Sequence, residues 1–226
     1  MRKFFMIITF LFTLIFCAFS IPAQATPIGD HPQANIPDQQ GIVQLPGMQI
    51  TASLTITHAD AWIAGTQTRP WPFCAHGFDP RYNPHCRYDP NEQFYEHYDG
   101  HTWKVVSLDE TMTYGTIVSM SASSGHDVWA VGKEQTTADV LAVTQHWDGT
   151  KWMAIGYGSL DLGTSLYTGV ADYYSTKVKA YAPNFVLVFG YQAIVYKPTG
   201  AVSLIRTINM WNGKQWTNVV PGDAAL

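Results

Sequence analysis

Apolar and polar positions alternate in short runs along most of this chain, which is the pattern of half-buried β-strands. In the clearest run, Gln49–Thr57, every second residue is apolar. Similar runs are separated by Gly, Asp, Asn or Ser, as strands joined by tight turns are. The pattern therefore predicts an all-β fold with further strands at Gln93–Tyr98, His101–Val106, Thr116–Ser121, Val140–Trp147, Lys151–Ile155, Lys177–Ala182, Ser203–Trp211 and Lys214–Val220.

One turn motif occurs three times with the same spacing. It consists of an aromatic residue, Asp or Asn, Gly, two variable residues and Trp, and its copies are Tyr98–Trp103, Trp147–Trp152 and Trp211–Trp216. Asp-Gly and Asn-Gly tolerate the positive φ that a tight hairpin requires. Three copies with identical aromatic placement indicate repeated structural units rather than an isolated hairpin.

A second motif, Asp-x-Trp-x-x-Gly, precedes these hairpins. It occurs at Asp60–Gly65 and Asp127–Gly132, and a degenerate copy occupies Phe185–Gly190. Another predicted strand lies before each copy. The chain is therefore expected to contain three four-stranded units, at about 49–107, 116–156 and 176–220, within a repeat domain that spans 49–222.

The middle unit reads Ser-x-x-Asp-Val-Trp-Ala-Val-Gly followed by His-Trp-Asp-Gly-Thr-x-Trp. This order resembles the blade repeat of bacterial kelch-like β-propellers, most closely over 116–156. The resemblance implies a partial propeller-like array of about three antiparallel blades and implies no particular activity. Propellers close with four to eight blades. Two chains could therefore associate to complete a ring, the chain could be part of a longer protein, or the units could adopt another arrangement.

An open array of three blades would leave the outer faces of its first and last blades uncovered. Because the repeats use the same apolar placements throughout, both end faces are expected to be as apolar as the buried ones. An apolar area of that size favours association. Self-association is therefore the expected behaviour of the mature chain.

The N-terminus has the organisation of a signal peptide. Arg2 and Lys3 precede an apolar run from Phe4 to Phe19, and Ala23-Gln24-Ala25 ends it with small residues at the cleavage positions. Cleavage after Ala25 is predicted, and an uncleaved anchor is the alternative. No other stretch is apolar enough to span a membrane. The predicted location is secreted, periplasmic or in the cell envelope.

The charge of the mature chain excludes one class of partner. Without residues 1–25 it has 11 basic and 17 acidic residues, a net charge of −6. A nucleic-acid-binding surface would be basic, so no nucleic-acid partner is predicted. Residues 26–48 lack apolar periodicity and are interpreted as an extended lead-in.

Residues 67–92 also lack periodicity and are predicted to form a long insertion loop. Cys74 and Cys86 are expected to form a disulfide within it, because export places them in an oxidising compartment. The alternative is a zinc site completed by His76 and His85, but this spacing does not match a standard zinc pattern. Aromatic and cationic side chains in the loop are the predicted ligand or partner contacts, namely Trp71, Phe73, Phe78, Arg81 and Tyr82.

The repeated residues favour a structural role. Tryptophans that recur in register are expected in the core, and they are Trp62, Trp103, Trp129, Trp152 and Trp216. Asn212 occupies the position of Asp99 and Asp148 and cannot titrate, which argues against acid–base roles for these turns. Asp60 and Asp127 are interpreted as turn residues that bond their own backbone.

The remaining acidic residues do not predict a catalytic site. Glu92 and Glu96 lie near Asp89 and Asp99 in a cluster that could bind calcium but is more typical of a solvated rim. Hydrolase and phosphate-loop motifs are absent from the sequence. We therefore predict an exported, non-catalytic binding module without cofactor or metal, whose ligand is a protein or a glycan. Two alternatives stay open: a propeller-type hydrolase or lyase fragment, and a structural fragment of a longer propeller.

Overall fold

The computed structural model of the protein describes residues 36–69, 89–108, 115–135, 140–156, 167–196 and 198–219. Within these residues the chain forms three four-stranded sheets. The first contains β1 (Gln49–Thr57), β2 (Asp60–Arg69), β3 (Asp89–Tyr98) and β4 (Trp103–Val106). The second contains β5 (Thr116–Ser124), β6 (Asp127–Gln135), β7 (Val140–Trp147) and β8 (Trp152–Ala154). The third contains β9 (Tyr167–Ala182), β10 (Phe185–Tyr196), β11 (Ala201–Trp211) and β12 (Trp216–Asn218).

The three sheets are antiparallel blades that pack in series. Strand order within each sheet follows the chain, and every paired neighbour is antiparallel. The first strands of successive sheets contact each other, β1 against β5 and β5 against β9. The prediction of an all-β, partial propeller-like array of three four-stranded blades is confirmed.

The glycines of the two motifs have separate structural reasons. In the hairpin turns Gly100, Gly149 and Gly213 have φ values of 89°, 94° and 89°, which side chains rarely adopt. In the Asp-x-Trp-x-x-Gly motif the reason is space, because a Cβ at Gly132 would overlap the carbonyl oxygen of Thr116 on the adjacent strand. The sequence motifs therefore record a backbone geometry that recurs in each blade.

Strand bounds differ most from the prediction at β9. This strand begins at Tyr167 rather than Lys177, because its first half pairs with a continuation of β10. The register shifts between Gln192 and Ile194, which marks a bulge at this point. A bulge interrupts the alternation of side chains that identifies a strand in a sequence.

The repeat tryptophans form the contacts between blades. Trp62 and Trp152 lie in one apolar cluster between the first and second blades. Trp129 lies in a second cluster between the second and third blades, and Trp216 packs against it. Four of the five repeat tryptophans are buried as predicted, whereas Trp216 is half-buried.

Residues 36–48 cover the outer face of the first blade. Ile42 packs on that face with three further apolar residues of the segment, and the covered residues include Tyr98 and Trp103. Trp103 Nε1 donates hydrogen bonds to the carbonyl oxygens of Pro37, at 3.2 Å, and Asp38, at 3.0 Å. The described part of the lead-in is therefore a packed cap, and the expectation of a bare first end face is wrong.

The outer face of the third blade also differs from expectation. It carries Lys177, Lys179 and Arg206 beside its apolar side chains, because these residues lie opposite outward-facing residues of β10. Arrays of repeats usually end in a more polar unit. The expectation that this end face repeats the apolar composition of the buried faces is also wrong.

Candidate functional site

A carboxylate–histidine pair lies at the interface of the first and second blades. Asp60 begins β2, and His97 lies on β3 directly opposite Trp62. His97 Nε2 is 2.9 Å from Asp60 Oδ1, and its ring stacks on Trp62 with centroids 4.2 Å apart. Trp62 then meets the edge of Trp152 from the second blade at 5.4 Å and an interplanar angle of 89°.

The same arrangement recurs at the interface of the second and third blades. His146 Nε2 is 2.7 Å from Asp127 Oδ1, and its ring stacks on Trp129 at 4.3 Å. Trp129 meets the edge of Trp216 at 5.6 Å and 84°. It also donates a hydrogen bond from Nε1 to Asp127 Oδ1 at 3.0 Å.

These pairs correct the assignment of Asp60 and Asp127 as residues that bond their own turn backbone. A carboxylate only accepts hydrogen bonds, so Nε2 of each histidine must carry the hydrogen. Burial opposes ionisation of Asp127, but hydrogen bonds from His146, Ser123 and Trp129 outweigh it, and the pKa of Asp127 lies below its ordinary value. Each histidine is thus fixed flat against its tryptophan, which orients that ring towards the next blade.

The Asp and Asn residues of the hairpin turns have a separate, local function. In each turn one side-chain oxygen accepts hydrogen bonds from the backbone N–H groups two and three residues later, at 2.8–3.1 Å. Hydrogen bonds from Thr150 and Lys151 lower the pKa of Asp148 to about 2. The accepting residues are Asp99, Asp148 and Asn212, and the amide makes the same bonds as the carboxylates.

The two glutamates of the cluster predicted as a solvated rim are buried, whereas Asp99 is exposed. Glu92 is 7% exposed and accepts a hydrogen bond from Gln67 Nε2 at 3.3 Å, while Glu96 is fully buried on the face that the cap covers. Glu96 Oε2 accepts a hydrogen bond from the Val43 N–H at 3.0 Å, and no hydrogen-bond donor contacts Oε1 among the described residues. Burial raises the pKa of Glu96 above its ordinary value, and the Val43 hydrogen bond offsets this only in part. The rim interpretation is therefore wrong for both glutamates.

The replacement Glu96→Gln should remove a pH dependence of stability. A raised folded-state pKa means that Glu96 favours folding below its unfolded value, about 4.3, and loses this contribution as the pH rises through the folded value. The loss is about 1.4 kcal/mol for each unit by which the pKa is raised. Urea unfolding from pH 4 to 8 should show this decline in the parent chain and not in the variant. An equal decline in both would contradict the assignment.

The two rims of the array differ in their connections. At one rim each blade has two tight turns, which join its first strand to its second and its third to its fourth. We call this the tight-turn rim, and the turns are 58–59 and 99–102, 125–126 and 148–151, and 183–184 and 212–215. Both Asp–His pairs lie beside these turns. The recurrence of the same turn lengths in all blades indicates a structural role for this rim.

The strand ends that all other connections join lie at the opposite rim, because consecutive antiparallel strands turn at alternating ends. We call this the long-connection rim. The connection between the second and third strands is 70–88 in the first blade, but only 136–139 and 197–200 in the other two. The connections between blades, 107–115 and 155–166, join strand ends at this rim as well. Variation in connection length among the blades is thus confined to one rim.

The third blade extends further at the long-connection rim than the second. Strand β10 has 12 residues and β11 has 11, compared with 9 in β6 and 8 in β7. Three additional residues lengthen a strand by about 10 Å. The first blade therefore has the longest connection between its second and third strands, and in the third blade these two strands are themselves the longest.

The residues predicted as ligand or partner contacts belong to the 70–88 connection and lie outside the described residues. This applies to Trp71, Phe73, Phe78, Arg81 and Tyr82, and to the disulfide predicted between Cys74 and Cys86. The predicted signal peptide, 1–25, also lies outside them. In the part of the chain that the structure describes, acidic, histidine and cysteine side chains form no group of three suited to a metal ion. The same residues include no helix of the length and apolarity that crossing a membrane requires.

Neither a protein-family model nor a curated protein sequence matches the chain. The resemblance to kelch-like repeats therefore stays a prediction. Among solved structures, the chain is similar to a fucose lectin from Kordia zhangzhouensis in complex with methyl-fucoside. The two share 11% sequence identity and a TM-score of 0.38 over 76% of this chain and 99% of the lectin chain. At this similarity neither the ligand nor its binding residues can be carried across.

Proposed function

We propose that the chain is an exported, non-catalytic binding module that contacts a protein or glycan ligand through its long-connection rim. The observation that carries this proposal is the contrast between the two rims. Turn lengths repeat at the tight-turn rim, whereas connection lengths vary at the other. In repeat proteins, insertions that distinguish one repeat from the next occur on one face, which is often the binding face.

The described acidic and histidine side chains support a binding role rather than catalysis. A glycosidase needs two carboxylates that face one sugar. Here Asp60 and Asp127 each pair with one histidine at successive blade interfaces, and the same geometry occurs twice. A unique reaction centre has no reason to repeat, but a contact between blades does. These residues are therefore assigned to assembly of the array.

Exchange of the 70–88 connection should separate folding from binding. Replacing 70–88 with the short 136–139 sequence keeps both flanking strands and removes the part unique to the first blade. The exchanged chain should melt within a few degrees of the parent, since surface connections add little to the core. The parent chain is first screened on an array of defined glycans and purified extracellular proteins. The exchanged chain should not bind any probe that the parent chain binds.

The control for this exchange is Asn212→Asp, which gives the third blade the turn residue of the other two. It changes the opposite rim and should leave binding intact. If the exchanged chain still bound the probe and Asn212→Asp did not, the ligand would bind at the tight-turn rim, which would contradict the proposal. Turnover of a bound glycan that Asp127→Asn abolishes would instead favour the hydrolase or lyase alternative.

A further inference from the structure

The outer face of the third blade is a second surface with a defined composition. Val186 and Val188 point towards the second blade, where they pack with Trp129. Alternation along β10 therefore places Leu187, Phe189 and Tyr191 on the opposite, outer face. Residues directly opposite them on β9 and β11 share this face, and they are Lys179 and Met210, Lys177 and Ile208, and Tyr174 and Arg206.

This outer face has apolar residues at its centre and cations at its margins. Leu187, Phe189, Ile208 and Met210 lie on the two central strands and are half-buried. Lys177 and Arg206 are exposed on β9 and β11, to either side of β10. Tyr174 and Tyr191 stack at 5.3 Å in the same row as Arg206. An apolar centre with a polar margin is the anatomy of a protein–protein interface, where Tyr, Phe, Met and Arg are enriched.

The outer face is not suited to receive another blade of the same kind. The first two blades receive the next blade with a tryptophan held by an Asp–His pair. At the corresponding positions the third blade has Leu187 opposite Met210, and Phe185 begins β10 where Asp60 and Asp127 begin the equivalent strands. The ring that meets the next blade and the pair that orients it are therefore both replaced.

The third blade has an excess of basic residues, whereas the part of the chain that contains the first two blades has an excess of acidic residues. Residues 167–219 contain five basic residues and one acidic residue, whereas residues 36–156 contain six basic and thirteen acidic residues. Two copies joined through their outer faces would enclose Lys177 and Arg206 of both copies in one interface. Like charges brought together across an interface oppose association.

We propose that the outer face of the third blade docks an acidic protein surface, one with an apolar centre bordered by carboxylates. Positive margins complement carboxylates and increase the association rate, while the apolar centre provides buried area. A polysaccharide fits less well, because the Leu187, Ile208 and Met210 side chains cannot satisfy sugar hydroxyls. This surface is distinct from the long-connection rim, so the two proposals can fail independently.

Binding to a random copolymer of glutamate and tyrosine tests the proposal on the full chain. The copolymer should bind, polyglutamate should bind more weakly because it lacks apolar groups, and added salt should weaken both. Arg206→Glu should lower the affinity for the copolymer about tenfold by reversing a charge at the margin. Lys214→Glu makes the same charge change in the hairpin turn of the same blade and should leave the affinity unchanged.

Three results would overturn the proposal. The first is equal loss of affinity in Arg206→Glu and Lys214→Glu, or no binding of the copolymer at all. The second is stronger binding to polygalacturonate or to phosphatidylglycerol vesicles than to the copolymer, which would assign the face to a glycan or a lipid surface. The third is a dimer in sedimentation that Arg206→Glu dissociates, which would assign it to a second copy. Exchange of the 70–88 connection should leave copolymer binding unchanged, which separates this test from that of the long-connection rim.

Discussion

Replacement of Trp152 with alanine should lower the free energy of unfolding by about 3–5 kcal/mol, as aromatic truncations in cores do. Trp152 is 3% exposed and belongs to the cluster between the first and second blades. Its ring stacks on Tyr95 at 4.1 Å with an interplanar angle of 15°, and its edge meets Trp62. Truncation would therefore leave a cavity bordered by two aromatic rings from the neighbouring blade, and this interface could not close it without moving a whole sheet.

Trp216→Ala is the matched control, because Trp216 occupies the same motif position in the third blade. Trp216 is only half-buried, although it meets Trp129 in the same edge-on geometry. Its truncation should cost clearly less, since part of its surface already faces solvent. Urea unfolding followed by circular dichroism measures both changes. Small and equal losses would show that the blade interfaces do not carry the stability of the array.

The blades could be predicted from the sequence because their turns require particular residues. Gly149 must adopt a positive φ, and the glycine of the Asp-x-Trp-x-x-Gly motif must avoid a neighbouring carbonyl oxygen. Such requirements recur with the blade, so they appear as spaced motifs. The tryptophans could be assigned to the core for the same reason, because residues that pack blade on blade must repeat.

Contacts that join distant positions could not be predicted in this way. Asp60 and His97 are 37 residues apart, and Asp127 and His146 are 19 apart, because the connection between their strands differs in length. The sequence signal for these pairs is the equivalent placement of His97 and His146, each directly before a hairpin motif. Such recurrence indicates a structural role but does not identify the partner.

The cap and the buried Glu96 had no signal of this kind. The apolar residues of the cap, such as Ile42 and Leu45, are irregularly spaced between prolines, so they resemble a linker. Glu96 lies among other acidic residues in the sequence, which is also the composition of an exposed rim. Strand register explains why Glu96 is buried, because Glu96 on β3 occupies the position that Gln145 occupies on β7 of the second blade. Gln145 accepts a hydrogen bond from Tyr95 of the preceding blade, and Glu96 accepts one from the cap.

The cap therefore occupies the place of a preceding blade, and its removal should have a large effect. Tyr98 and Trp103 correspond to the aromatic pairs with which the second and third blades meet their predecessors. A chain that begins at Gln49 would expose this pair together with Phe94. Each large apolar side chain that loses its cover costs about 1.5–3 kcal/mol. We expect the shortened chain to melt at a clearly lower temperature and to self-associate, as measured by calorimetry and light scattering.

A pair of single replacements tests the same contact in the full-length chain. Ile42 packs against the first blade, whereas the neighbouring Val43 side chain is 37% exposed. Ile42→Ser should reproduce part of the destabilisation and association of the shortened chain, because it removes an apolar anchor of the cap. Val43→Ser keeps the backbone N–H that binds Glu96 and should behave like the parent. If the shortened chain and Ile42→Ser both remained monomeric with unchanged melting, residues 36–48 would not act as a cap, and the first blade would be stable with its aromatic pair in solvent.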